Sequence, residues 1–177
     1  MNSAHEMDEV LSDINSILEL KNKDIGQSYE VDIEVTIDKV RKILYDNLQE
    51  SKAEIALNLD IRNINANEPY LESIIYNLVS NSIKYRSNER TLKIGISTYK
   101  ENSSVILKIS DNGMGIDLLK FEEKIFGLYQ RFHDHVVGKG LGLYLVKTQV
   151  EALGGNIEID SKVEKGTTFK ILFSVEK

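Results

Sequence analysis

Two hydrophobic periods alternate along this chain, and that alternation limits the folds open to it. Tyr29, Val31, Ile33 and Val35 stand at every second position between Glu30, Asp32 and Glu34, the pattern of a half-buried strand. Val40, Ile43, Leu44 and Leu48 then recur at helical spacing. Period two returns at Ile55, Leu57 and Leu59, within a strand expected over Glu54 to Ile61. Asn67-Glu68-Pro69 reads as a helix start, because proline is tolerated only in the first turn and acids favour that end. From it a helix is predicted through Leu71, Ile74, Ile75, Leu78 and Val79 to about Tyr85. Strands are predicted at Thr91–Tyr99 and Val105–Ser110 around a turn-rich stretch, then a charged amphipathic segment at Leu118–Arg131. A helix over Leu141–Leu153 stopped by Gly154-Gly155, and strands at Asn156–Ser161 and Thr167–Val175, complete the order. Hairpin-linked strands with helices between them predict an α+β fold, a two-layer sandwich of a mixed sheet packed on helices.

Composition removes whole classes of function. The 177 residues contain no cysteine, which excludes disulfides, thiolate catalysis and cysteine-based zinc sites, and fits a cytoplasmic setting. A net charge of −6 argues against a broad nucleic-acid face. No window has the apolar run that a membrane span needs, so no membrane contact by this chain is expected. Ahead of the first strand, Met7, Leu11, Ile14 and Leu18 are spaced four, three, four, with Val10 and Ile17 widening the stripe. Such a short a/d seam is marginal alone and calls for a partner helix, from this chain or from a second copy.

Three glycine clusters fall where strands or loops meet helices: Asp111-Asn112-Gly113-Met114-Gly115, Gly138-Lys139-Gly140-Leu141-Gly142 and Gly166-Thr167-Thr168. Glycine lets backbone approach a ligand closely, and N–H groups at a helix start attract phosphate; a plain turn is the other reading of each cluster alone. Two familiar phosphate motifs fail. A P-loop would need Gly where His133 stands and Ser or Thr where Gly140 stands; a dinucleotide fingerprint would need Gly in place of Leu143. Asn77 and Asn81, four apart, share one face of the predicted helix. They serve either as core-bridging amides or as neutral oxygen ligands that hold Mg²⁺ while nucleotide phosphates supply the charge. Lys84 and Arg86 place cations at the end of that helix.

In order and spacing these motifs resemble the catalytic, ATP-binding domain of sensor histidine kinases, in the Bergerat-fold superfamily. Asn77–Tyr85 resembles the N box, Asp111–Gly115 the first glycine box, Phe121–Phe132 the F box, and the two later glycine clusters the remaining boxes. The resemblance implies ATP and Mg²⁺ as cofactors. It implies Asn81 as the metal ligand, with Asn77, Lys84 and Arg131 completing a catalytic set. Asp111 would accept from the adenine amine, Gly113 and Gly115 would pass beside the base, and Tyr85 would lie over it. Phe126 and Tyr129 would anchor a lid over about Gly127 to Lys139. Gly140 and Gly142 would offer N–H groups to the phosphates, with Ile116, Lys139, Leu141 and Leu143 in the nucleotide-binding set and Thr167 or Thr168 closing the base pocket.

Asn77 also separates reaction classes. Water-splitting members of the superfamily carry a Glu at this place, whereas an amide cannot act as a base near neutral pH. ATP is therefore expected to await a better acceptor than water, as a kinase requires. His5-Glu6 imitates the opening of the family's acceptor motif, but Asp8 and Glu9 follow and the single proline is Pro69. The phosphoacceptor histidine helix is accordingly expected outside this chain, with a response regulator downstream and a homodimer formed through the N-terminal helix. His133 and His135 alone make a poor zinc site. The expected division is residues 1–24 as the end of the dimerisation and phosphoacceptor hairpin with its linker, and 25–177 as the ATP-binding catalytic domain.

Overall fold

In a computed structural model the described residues are 28–121, 124–130 and 140–174. The heptad helix, His5, Arg131, His133, His135 and Lys139 lie outside them. The first strand, β1 (Tyr29–Asp32), is shorter than its alternation predicts. Asp32 ends it: the carboxylate Oδ1 accepts from the N–H groups of Glu34 (2.9 Å) and Val35 (3.1 Å), which caps helix α1 (Ile33–Ile43). Ile33, Ile37 and Val40 then face the core, while Val35, predicted on the buried face of a strand, is 52% exposed. Alternation over seven residues could not show that a capping acid sat in its middle.

Helix α2 (Tyr45–Ser51) follows directly and ends at Lys52 in the left-handed region, φ 50°. Strand β2 (Glu54–Leu59) leads to a short strand, β3 (Asn63–Ala66), that pairs antiparallel with β1. Asn67 caps α3 (Glu68–Lys84), its side chain accepting from Tyr70 N–H at 3.1 Å, with Pro69 in the first turn as predicted. Leu71, Ile74, Ile75, Leu78, Val79 and Ile83 form its buried stripe.

Strands β4 (Lys93–Glu101) and β5 (Ser104–Asp111) make a tight hairpin, with Asn102 at φ 54° in the turn. Among the described residues of the predicted amphipathic segment, α4 (Leu118–Phe121) is α-helical and residues 125–129 form turns and a bend. Helix α5 (Gly142–Ala152) and strands β6 (Asn156–Lys162) and β7 (Gly166–Ser174) close the described chain.

The main sheet has the order β2-β4-β5-β7-β6. Among the described residues of this sheet only β2 and β4 run parallel, and the other neighbouring pairs are antiparallel. Ile94, Ile96, Leu107, Ile109, Phe169 and Ile171 share a core with α1, α3 and α5, which gives the expected two-layer α+β sandwich. The end of β5, the turn between β6 and β7, the last turns of α3 and the start of α5 all meet at one end of this sandwich. Among the described residues no helix is long and apolar enough to cross a membrane.

Candidate functional site

Asp111 is the last residue of β5 and the centre of one half of the site. Its Oδ1 accepts from the N–H groups of Gly113 (2.8 Å) and Thr167 (3.2 Å), and its Oδ2 lies 3.2 Å from the Ser82 hydroxyl. Ser82 has a single proton for two acceptors, since the Leu78 carbonyl is 3.0 Å away. Burial pushes the Asp111 carboxyl above its ordinary range, outweighing the hydrogen bonds from Gly113, Thr167 and Ser82 that pull it down. Asp111 therefore joins three elements: α3, the glycine loop and β7.

The glycines explain how these come so close. A Cβ on Gly113 would lie 2.5 Å from the Tyr85 carbonyl, and the next residue, Met114, donates its N–H to that same oxygen at 2.9 Å. Gly115 has φ +70° and a Cβ there would lie 2.1 Å from the Lys162 carbonyl. Ile116 donates its N–H to Ser161 Oγ at 2.8 Å, and that hydroxyl lies 2.9 Å from both Gly166 O and Thr167 Oγ1. Thr167 thus belongs to the Asp111 cluster, whereas Thr168 projects from the opposite face of β7, in register with Ser110.

Arg90 completes this half and was not singled out by its sequence, a polar stretch between helix and strand. Its guanidinium donates to the carbonyls of Asn112 (2.7 Å), Gly113 (2.9 Å) and Glu164 (2.8 Å), tying the glycine loop to the β6–β7 turn. The partner positions lie too far along the chain for any local pattern to show them.

The other half is built on α3 and α5. A Cβ on Gly142 would lie 2.8 Å from Asn77 Oδ1 and 4.0 Å from Asn81 Nδ2, so both N-box amides face the start of α5. Asn77 donates through Nδ2 to the Ser73 carbonyl at 2.9 Å. Leu141, buried under α5, precedes a helix start with no side-chain cap and no acid in its first turn. The first N–H groups and the positive end of this helix thus lie beside two neutral amides, an arrangement that suits an anion. Gly140, at φ +72°, packs against Gln130 so tightly that a Cβ would lie 2.3 Å from its carbonyl. Leu143 packs on the core.

The remaining predicted residues surround these halves. Lys84 Nζ sits 5.6 Å from the Tyr85 ring centroid, and Arg86 is turned back to the Ile83 carbonyl at 2.9 Å. Phe126 lies beneath Lys147, whose Nζ is 5.7 Å from the ring centroid, and Tyr129 is 71% exposed at φ 58°. Among the described residues no group of three or more metal-ligating His, Cys, Asp or Glu side chains occurs.

A Gly-loop carboxylate facing a helix that carries two amides, beside an uncapped helix start, defines a class of nucleotide-binding ATPases and kinases, and the comparisons agree. Residues 66–177 match the family described as histidine kinase-, DNA gyrase B-, and HSP90-like ATPase, and the chain belongs to it. Its relatives include proteins named as sensors and as signal transduction histidine-protein kinases. The phytochrome-like protein Cph1 of Synechocystis is 32% identical over 78% of this chain and 18% of that protein. The sensor protein RprX of Bacteroides fragilis is 30% identical over 84% of this chain and 30% of its own length. The chain thus spans less than a third of either relative.

Among solved structures, Acinetobacter baumannii histidine kinase AdeS superposes with a TM-score of 0.81 at 24% identity, covering 99% of this chain and 82% of that one. Full-length ShkA in complex with AMPPNP superposes at 0.75 and 23% identity, over 96% and 37% of the two chains. Family and relatives together make this a histidine kinase-like ATPase domain, and its fold is that of solved histidine kinases.

Proposed function

We propose that this domain binds Mg²⁺-ATP between α3, α5 and the Asp111 loop and passes the γ-phosphoryl group to a histidine on a separate helix. The observation that carries the reading is the paired arrangement of the site: a buried carboxylate at one end, and two amides facing an uncapped helix start at the other. Asp111 would accept from the adenine amine while its own oxygens remain fixed by Gly113 and Thr167. The Gly142 end of α5 would hold the phosphates by its N–H groups, and Lys84 would add a cation. Asn81, whose amide faces the start of α5, fits Mg²⁺, since an amide oxygen is a hard, neutral ligand and the phosphates bring the charge. When bound, the ion neutralises phosphate charge.

Asn77 cannot take a proton from water near neutral pH, so this position supplies no base for hydrolysis and ATP is held for another acceptor. The acceptor histidine, a homodimer formed through the N-terminal helix, and a response regulator that takes the phosphoryl group onward complete the proposal, as does a cytoplasmic setting. Calorimetry with Mg²⁺-ATP tests the metal ligand. Asn81→Ala is expected to weaken binding by about 10- to 100-fold, the loss typical of a ligand or its immediate support. Lys100→Ala, on the far end of β4, should leave binding unchanged. Equal affinities for the two variants would contradict the assignment.

A further inference from the structure

Gln149 is the polar residue that the core has least reason to hold. It is 2% exposed on the face of α5 that packs on α3, next to the buried Leu145, Val146 and Val150. Its Nε2 donates to Ser73 Oγ at 3.0 Å, and its Oε1 is, among the described residues, a buried side-chain oxygen with no hydrogen-bond partner. Burying an amide with one end unpaired costs stability that a leucine or methionine of similar size would not. Such a group calls for an explanation beyond packing.

Its partner supplies one. The Ser73 carbonyl takes the Asn77 Nδ2 proton at 2.9 Å, and Ser73 Oγ lies 3.4 Å from that same nitrogen. With Nδ2 engaged, Asn77 Oδ1 is the atom turned toward Gly142. A flipped amide would set Oδ1 against the Ser73 carbonyl, acceptor against acceptor. The contacts Gln149–Ser73 and Gly142–Asn77 also fix how the antiparallel α3 and α5 sit against each other along this seam.

We infer that Gln149, acting through Ser73, is a positioning residue that holds the Asn77 amide with its oxygen facing the start of α5. The inference rests on the proposal that this seam faces the phosphates of ATP. Gln149 touches no part of the nucleotide site itself. It presents an acceptor, rather than a donor, at the place where the chain's phosphate-facing helix begins. It also makes the geometry of Asn77 depend on the seating of α5.

The test uses the ¹⁵N-labelled chain and three variants, Gln149→Leu, Gln149→Met and Ser73→Ala. The two Gln149 variants should melt at or above the wild-type temperature, because an unpaired buried amide is removed. In all three, the Asn77 side-chain NH₂ resonances should move, and their solvent exchange should speed up by several-fold. Phosphoryl transfer to a separate acceptor-histidine helix should fall by about 10-fold, with the ATP dissociation constant changed less than about 2-fold. Placed in an Asn77→Ala background, Gln149→Leu should cost nothing further. Unmoved Asn77 resonances, an unaltered transfer rate, or the same loss in the Asn77→Ala background would each overturn the positioning role. The resonance and exchange readouts need no nucleotide. A wild-type chain that fails to bind Mg²⁺-ATP would therefore contradict the function, while the Asn77 signals still decide the role of Gln149.

Discussion

Asp111 shows how one side chain can be both a structural tie and a recognition group. Burial raises its pKa, and three hydrogen bonds work against that rise without cancelling it. The sign of the linkage follows. A carboxyl whose folded pKa lies above its unfolded value binds more protons when folded, so stability falls as pH rises from the unfolded value through the folded one, and is level above it. At pH 7 the charged Asp111 is therefore a net burden on folding. Asp111→Asn should melt at least as high as wild type at pH 7, and its advantage should vanish in acid. In the proposed reading the same variant turns an NH₂ toward the adenine amine, donor against donor, and should bind ATP about 10- to 100-fold more weakly. Wild-type binding should also begin to weaken, as pH falls, above the ordinary aspartate range of about 3.9. Thermal melts and calorimetry across pH 4 to 8 check both, and an Asn variant that is less stable at pH 7 yet binds normally would contradict them.

At the scale of elements, the glycine loop is held from behind as well as by its own Asp111–Gly113 turn. Arg90 donates to Asn112, Gly113 and Glu164, and Ser161 accepts from Ile116 while lying against Gly166 and Thr167. Arg90→Met keeps much of the stem's packing and removes three hydrogen bonds, two of them to half-buried carbonyls, which costs about 1 to 3 kcal/mol for groups left unpaired. The account expects that loss of stability together with an ATP affinity lowered more than that of Lys100→Ala. Arg90→Lys should recover only part of it, because one ammonium cannot reproduce the planar fork. A melting temperature and affinity equal to wild type for Arg90→Met would show that the loop holds itself.

Across the whole molecule, what could be read from the chain and what could not divide on sequence distance. The stripe Leu71, Ile74, Ile75, Leu78 and Val79, the proline in the first turn of α3, and the Asn77–Asn81 pair are visible because each pattern closes within a few turns of one helix. Strand β3 is four residues with only Ile64 and Ala66 buried, too short for its period to stand out. Val35 was misplaced because a strand's alternation and the first turn of a capped helix can share the same few residues. Ser82, Arg90 and Gln149 carry no local signal for their ties across the fold, since Asp111 lies 29 positions from Ser82, the Arg90 partners 22 to 74 away, and Ser73 lies 76 from Gln149. The motif residues lie where backbone must approach a ligand; the residues that hold them there are defined only by the fold.

The central claim, a domain that holds ATP for a histidine elsewhere, is tested most directly by incubating the chain with γ-labelled Mg²⁺-ATP and a separate acceptor-histidine hairpin from a sensor kinase. The account predicts label on the hairpin, none on this chain, and little free phosphate, with Asn81→Ala abolishing transfer. Rapid release of labelled phosphate without transfer, or label retained on His5, would contradict it.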